Sequence, residues 1–134
     1  MTTKKIKVLI IDDDMDLLHL LTKKLHKNDV ECMSATLPGE GLKKAQEYNP
    51  DLVLLDLNLP KMSGFGFLRE FKRHSQLSNI PVVVLTSIAD EDVSQEALNL
   101  GAATYLTKAC SDQELLSAIN KHTPSHPYWA QKST

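Results

Sequence analysis

Five short apolar runs alternate with five segments of helical periodicity along almost the whole chain, and this alternation constrains the fold most strongly. The apolar runs occupy residues 6–11, 30–36, 52–55, 81–85 and 104–106. Each is followed by apolar residues at helical spacing, as at Leu18, Leu21 and Leu25 after the first run. A strict strand–helix order predicts an α/β fold in which helices cover both faces of a parallel sheet.

Local signals at the helix starts agree with this pattern. Pro38 is suited to the first turn of the second helix, where its missing N–H has no partner to lose. The acidic run 90–92 is suited to the positive end of the fourth helix dipole. Ser111 and Glu114 have the spacing of a capping box ahead of the fifth helix.

The length and charge of the chain limit the function classes that need to be considered. With 134 residues the chain fits one domain, which we place at residues 1–123, followed by a C-terminal tail at 124–134. The formal net charge of −2 argues against a nucleic-acid-binding surface. The apolar run after Lys4 and Lys5 is too short for a signal peptide, so we expect a cytoplasmic protein in which Cys32 and Cys110 are reduced thiols.

Polar side chains end four of the five predicted strands. They are Asp12, Asp13 and Asp14 after the first run, Asp56 after the third, Thr86 and Ser87 after the fourth, and Thr107 and Lys108 after the fifth. Parallel strands present their carboxyl ends at one edge, where open α/β sheets bind ligands. We therefore expect these groups to lie together, although Asp14, or Asp13 with it, also suits the cap of the first helix.

The predicted cluster of acids requires positive charge. Neighbouring strands lie about 4.8 Å apart, and two carboxylates about 4 Å apart repel by several kcal/mol at an effective dielectric constant of ~20. Lys108 supplies one positive charge, and hard oxygen ligands with room for water favour Mg²⁺ for the rest. Asp56, beside this cation, an amine and the Thr86 hydroxyl, has the surroundings of a carboxylate nucleophile that forms an acyl phosphate.

Four motifs in this order resemble the signature blocks of response-regulator receiver domains of the single-domain, CheY-like type. They are "VLIIDDD", "LVLLDLNLPKMSG", "VVVLTS" and "GAATYLTKA", and the resemblance covers roughly residues 5–122. It implies a flavodoxin-like doubly wound fold, with a five-stranded parallel sheet in the order 2-1-3-4-5 and five helices. It also implies a phosphorylation-controlled switch of a two-component phosphorelay.

The resemblance implies a role for each acid of the cluster. Asp56 is the expected phosphoacceptor. Asp13 and Asp56 are expected to ligate Mg²⁺ through their side chains and Asn58 through its backbone carbonyl, while Asp12 acts mainly through water. Asn58 also argues against a phosphohydrolase with an aspartate nucleophile, because such an enzyme needs a second acid as proton donor.

The resemblance assigns the remaining site residues to a switch. Lys108 is expected to pair with the phosphoryl group, Thr86 to shift toward it, and Tyr105 to turn inward behind Thr86. This motion changes the face made by the fourth helix, fifth strand and fifth helix, where a partner reads the state. The family usually has a proline with a cis peptide after the lysine, whereas this chain has Ala109, which leaves open a pseudo-receiver that binds its partner without phosphate.

The expected partners follow from the same resemblance. A sensor histidine kinase or a phosphotransfer protein would supply the phosphoryl group, and an unidentified protein would read the result. We expect no direct contact with nucleic acid or membrane. Such a domain catalyses only its own phosphotransfer and autodephosphorylation, so we expect a switch and not an enzyme.

Overall fold

The computed structural model describes residues 5–57, 64–87 and 90–124, and strands and helices alternate throughout these ranges. The strands are β1 (Ile6–Ile11), β2 (Val30–Ala35), β3 (Leu52–Asp56), β4 (Val82–Thr86) and β5 (Thr104–Thr107). The helices are α1 (Met15–Lys27), α2 (Pro38–Tyr48), α3 (Gly64–Arg73), α4 (Glu91–Asn99) and α5 (Asp112–His122). All five predicted strands are confirmed. β3 and β5 each extend one residue beyond the apolar run, β4 is shifted by one residue, and β2 ends one residue earlier.

The sheet is parallel and has the order β2-β1-β3-β4-β5, which confirms the doubly wound, flavodoxin-like fold. The chain passes from β1 to β2 on one side and then returns to place β3 on the other. The register pairs Ile11 of β1 with Leu55 of β3. The next residues of these adjacent strands, Asp12 and Asp56, therefore meet at the edge where ligands bind in such sheets.

Two apolar layers hold the sheet rigidly from both faces. On β3, Leu52 and Leu54 belong to a cluster with side chains of α1 and α5. Val53 and Leu55 belong to the opposite cluster, with side chains of α2, α3 and α4. All four are fully buried, so the strand that ends on Asp56 is held on both sides.

The helix starts follow the predicted capping signals. Pro38 lies in the first turn of α2, and the Asp90 side chain caps α4. Ser111 and Glu114 form the predicted capping box of α5. Of the two candidates for the α1 cap, Asp14 is the residue that accepts hydrogen bonds from the first helical N–H groups.

Two further predictions concern the termini and the cysteines. Cys32 and Cys110 are free thiols, as expected. The predicted tail lies outside the described residues from residue 125 onward. No helix within the described ranges has the length and apolar character needed to cross a bilayer.

Gly64 lets α3 begin directly against the end of β3. Its N–H donates to the Leu57 carbonyl at 2.8 Å. A Cβ at this position would lie 2.4 Å from Leu57 Cα and 2.8 Å from the Asp56 carbonyl oxygen. Both contacts are with backbone, so only a shift of the β3–α3 junction would relieve them.

We predict that Gly64→Ala lowers the free energy of unfolding by about 1–3 kcal/mol, the usual cost of overpacking a tight site. Urea denaturation measures the change. Gly39→Ala is the matched control, because a Cβ there has nothing within 4 Å and alanine favours the helix by up to about 1 kcal/mol. Equal stability of the two variants would contradict the prediction.

Candidate functional site

The carboxyl ends of β1 and β3 bring three aspartates together. Asp12 and Asp56 are 1% and 2% exposed, whereas Asp13 is exposed to solvent. Asp12 is held in place by its backbone, whose N–H donates to the Ala35 carbonyl of β2 at 3.0 Å. Carboxylate oxygens of the three residues lie within 4.8 Å of one another. The structure thus places Asp12, Asp13 and Asp56 in the cluster that the strand ends predicted.

Lys108 supplies the positive charge of this cluster. Its Nζ lies 3.1 Å from Asp12 Oδ2 and 3.3 Å from Asp56 Oδ1, and its side chain is 23% exposed. Burial lowers the pKa of Lys108, but the attraction of Asp12 and then of Asp56 outweighs this effect, so the pKa is raised overall. The ammonium therefore stays charged between the two buried carboxylates.

The surroundings of Asp12 indicate that the Lys108 ammonium alone does not provide hydrogen bonds for all carboxylate oxygens of the cluster. Burial, followed by the charge of Asp56, raises the pKa of Asp12 against the opposing effects of the Asp14 N–H and Lys108. The Asp14 N–H donates to Asp12 Oδ1 at 2.9 Å. The other oxygen, Oδ2, is buried and, among the described residues, forms an ion pair but no hydrogen bond of good geometry.

This donor set fits a divalent cation. Within the described ranges 5–57, 64–87 and 90–124, three carboxylates face one ammonium, so these groups together carry an excess of negative charge. The available ligands are oxygens, which hard cations prefer, and the exposed Asp13 leaves one side accessible to metal-bound water. A water on such a cation is also a suitable donor for the buried Oδ2 of Asp12.

Thr86 and Tyr105 lie on β4 and β5, the two strands that follow β3 in the sheet. Thr86 ends β4, beside β3, and is 4% exposed. Its carbonyl accepts a hydrogen bond of 2.8 Å from the Lys108 N–H, so the backbone joins the two predicted site residues. Tyr105 lies in β5 and is 38% exposed. Asn58, the remaining predicted ligand, lies outside the described residues.

The turn after β5 sets the position of the Lys108 backbone. The Cys110 N–H donates to the Thr107 carbonyl at 3.0 Å, which closes a four-residue turn. Neither central residue, Lys108 or Ala109, has a positive φ, so the turn is of type I. The Lys108–Ala109 peptide is trans. Lys108 thus reaches both carboxylates without the cis peptide that the family resemblance implies.

Two contacts near the site were not predicted from the sequence. The Asp14 N–H bond to Asp12 could have been found, because aspartate often accepts a hydrogen bond from the N–H two residues later. The ion pair between Lys24 of α1 and Asp112 of α5, with 2.7 Å between Nζ and Oδ1, has no signal in the sequence. It depends on how the two helices pack.

The family model of the response regulator receiver domain matches residues 8–120. The chain belongs to this family. The receiver domain is 32% identical to protein PilH of Pseudomonas aeruginosa. The alignment covers 85% of this chain and 94% of PilH. It is also 32% identical to sporulation initiation phosphotransferase F of Bacillus subtilis, covering 88% and 94% of the two chains.

Solved structures agree with the receiver fold. The chemotaxis protein CheY4 of Vibrio cholerae superimposes with a TM-score of 0.83 at 29% identity, covering 88% of this chain and 98% of CheY4. A response regulator from Chloroflexus aurantiacus gives a TM-score of 0.86 at 26% identity, covering 90% and 99%.

The similar proteins establish the general function of this domain. The receiver domain is a phosphorylation-controlled switch of two-component signalling, and family membership implies interaction with a histidine kinase or a phosphotransfer protein. The transcriptional regulatory protein PhoB of Escherichia coli is 33% identical over 113 residues, and the alignment covers 49% of the length of PhoB.

We predict that Mg²⁺ stabilises the receiver domain and that Asp13→Asn removes this effect. A ligand at 100 times its Kd stabilises the folded state by about 2.7 kcal/mol, so the melting temperature of the wild type should rise by several degrees. Because the Asp13 side chain is exposed, its substitution should leave the fold intact in EDTA. Differential scanning calorimetry with and without Mg²⁺ measures both effects.

The matched control for this prediction is Asp16→Asn, which removes another exposed acid, from the first turn of α1 and outside the cluster. This variant should keep the whole Mg²⁺-induced shift. A shift in Asp13→Asn as large as that of the wild type would show that the cluster does not bind the cation.

Proposed function

We propose that Asp56 accepts a phosphoryl group from the phosphohistidine of a sensor histidine kinase or phosphotransfer protein. Mg²⁺ would be held by the side chains of Asp13 and Asp56 and the backbone carbonyl of Asn58, with Asp12 acting through water. The observation that carries the proposal is the buried Asp56 carboxylate at the end of a rigid strand, with an ammonium 3.3 Å from its Oδ1.

The transfer requires one bond to form and one to break. A carboxylate oxygen of Asp56 attacks phosphorus as the bond from phosphorus to the donor imidazole nitrogen breaks. The electron pair of that bond stays on the imidazole nitrogen, which takes up a proton from solvent so that neutral histidine remains. Such transfers depend mainly on positioning and on charge stabilisation of the phosphoryl oxygens, and bound Mg²⁺ would supply part of that stabilisation.

Lys108 and Thr86 of this chain would supply the rest of the charge stabilisation of the phosphoryl oxygens. The Lys108 ammonium already lies at Asp56, so a short movement of its side chain brings it to a phosphoryl oxygen. The Thr86 hydroxyl, on the next strand, would donate a hydrogen bond to another phosphoryl oxygen. Because the Lys108 N–H is bonded to the Thr86 carbonyl, a shift of either residue also moves the ends of β4 and β5.

The output surface lies beside these two strands. Tyr105 is partly exposed in β5, directly opposite Val84 of β4 in the register. We infer that the shift of Thr86 lets the Tyr105 ring turn inward, which changes the face made by α4, β5 and α5. A protein partner would recognise that face in one state only, because a local change of charge biases two packing arrangements.

The receiver domain is on this proposal a cytoplasmic binding module, not an enzyme. It modifies itself once and converts no external substrate repeatedly. It contacts neither nucleic acid nor membrane directly.

We predict one phosphoryl group per chain after incubation with acetyl phosphate and Mg²⁺, and none in Asp56→Asn. Mass spectrometry of the intact protein measures the label. Asp51→Asn is the matched control, since Asp51 lies at the opposite end of β3 and accepts a hydrogen bond from the Lys7 N–H. It should be labelled like the wild type.

Other outcomes of the labelling experiment identify the alternatives. Label retained in Asp56→Asn would refute Asp56 as the acceptor. Continued hydrolysis of a phosphate ester would favour a phosphohydrolase. Equal binding of a partner by the wild type and Asp56→Asn in the presence of phosphodonor would favour a pseudo-receiver.

We predict that Ala109→Pro lowers the phosphorylated fraction several-fold and leaves Mg²⁺ affinity unchanged. Proline at the third position of a type I turn forces the residue before it out of the helical region, so the backbone of Lys108 must change while Asp12, Asp13 and Asp56 stay in place. Mass spectrometry measures the fraction, and the Mg²⁺-induced thermal shift is the control. An unchanged or larger fraction would show that the trans turn is not what positions Lys108.

A further inference from the structure

An ion pair joins α1 to the start of α5, close to the turn that carries Lys108. The Nζ of Lys24, in α1, lies 2.7 Å from Oδ1 of Asp112, the first residue of α5. Only three residues separate Asp112 from Lys108 in the chain. The ion pair therefore ties one end of the short segment that carries the ammonium to α1.

The packing beneath this ion pair is incomplete. A cavity of about 30 Å³ lies there, lined by leucines of α1, by Leu115 of α5, and by Lys108 and Cys110. About 10–15 Å³ is enough to hold one water molecule, and atoms that line a void lose dispersion contacts on that side. The void therefore leaves the turn with fewer apolar contacts that would oppose a shift against α1.

Such a shift matters because Lys108 has to reach two carboxylates at once. Its Nζ lies 3.1 Å from Asp12 Oδ2 and 3.3 Å from Asp56 Oδ1, and a displacement of about 1 Å in a reacting group can slow a reaction considerably. The backbone bond from Lys108 to Thr86 fixes the β5 side of the turn. On the α5 side, the Lys24–Asp112 ion pair joins the segment that follows the turn to α1.

We propose that Lys24 and Asp112 are positioning residues for phosphoryl transfer, which hold the turn so that Lys108 stays at the acceptor. This inference rests on the proposed role of Asp56. Both side chains are partly exposed, 34% for Lys24 and 60% for Asp112. Exposed ion pairs contribute little free energy, so we expect a loss of about two- to fivefold in rate.

The test measures the rate of Asp56 phosphorylation by acetyl phosphate at saturating Mg²⁺, followed by mass spectrometry. Lys24→Gln and Asp112→Asn should each slow it about two- to fivefold, and Lys24→Arg should keep the wild-type rate. The double variant should be no slower than the slower single variant, because both changes remove the same interaction. The Mg²⁺-induced thermal shift should be unchanged throughout.

Two controls separate positioning from general effects of charge and stability. Lys23→Gln removes the same charge from an exposed neighbour in α1. Glu40→Gln breaks a comparable ion pair, the one with Lys44 in α2, in which Oε1 and Nζ are 3.0 Å apart. Both variants should keep the wild-type rate.

The inference is overturned if Lys24→Gln is no slower than Lys23→Gln, or if the two single effects multiply in the double variant. Failure of the proposed function gives a different result. In that case the wild type itself carries no label on Asp56, whereas failure of the positioning role leaves the wild type labelled on Asp56.

Discussion

The rest of the site depends on two carboxylates that are buried side by side. Asp12 and Asp56 are almost fully inaccessible to solvent, and Lys108 forms an ion pair with both. At about 4 Å and an effective dielectric constant of ~20, two like charges repel by about 4 kcal/mol, which is a large fraction of a typical domain's stability. Among the residues that the structure describes, the Lys108 ammonium offsets this repulsion without giving Asp12 Oδ2 a hydrogen bond, an environment that suits a divalent cation.

The fold imposes this arrangement because of its strand order. Placing β3 next to β1 and pairing Ile11 with Leu55 makes Asp12 and Asp56 neighbours. A register shift of one residue would reverse which side chains of β3 enter each apolar layer. Since β3 is buried on both faces, that alternative is strongly disfavoured. The apolar core therefore specifies the distance between the two acids.

The sequence predicted the parts of the molecule that depend on local pattern. Hydrophobic periodicity was sufficient for the strands and helices, and spacing for the capping box at Ser111 and Glu114. The gathering of Asp12, Asp13 and Asp56 followed from the rule for parallel strand ends, whereas the strand order was taken from the family resemblance. The roles of these residues in catalysis remain predictions.

Other features depend on tertiary geometry and have no local signal. The sequence left open whether Asp13 shares the cap of α1 with Asp14, and the path of the backbone into the helix makes Asp14 the cap. By contrast, the trans peptide after Lys108 has a local signal, because a cis bond that does not precede proline costs about 3 kcal/mol. The Lys24–Asp112 ion pair joins residues far apart in the chain and depends on the packing of α1 against α5.

Phosphorylation of Asp56 would change this balance of charge in a direction that favours a switch. An aspartyl carboxylate carries one negative charge, whereas a phosphoryl group carries about 1.5 to 2 and offers three acceptor oxygens. Lys108, now divided between Asp12 and Asp56, would then have a stronger partner further out. Because its N–H is bonded to the Thr86 carbonyl, moving the ammonium also pulls on the end of β4. The same ion pair that offsets the repulsion of the buried acids would thus connect a change of charge at Asp56 to the backbone beneath the proposed output face.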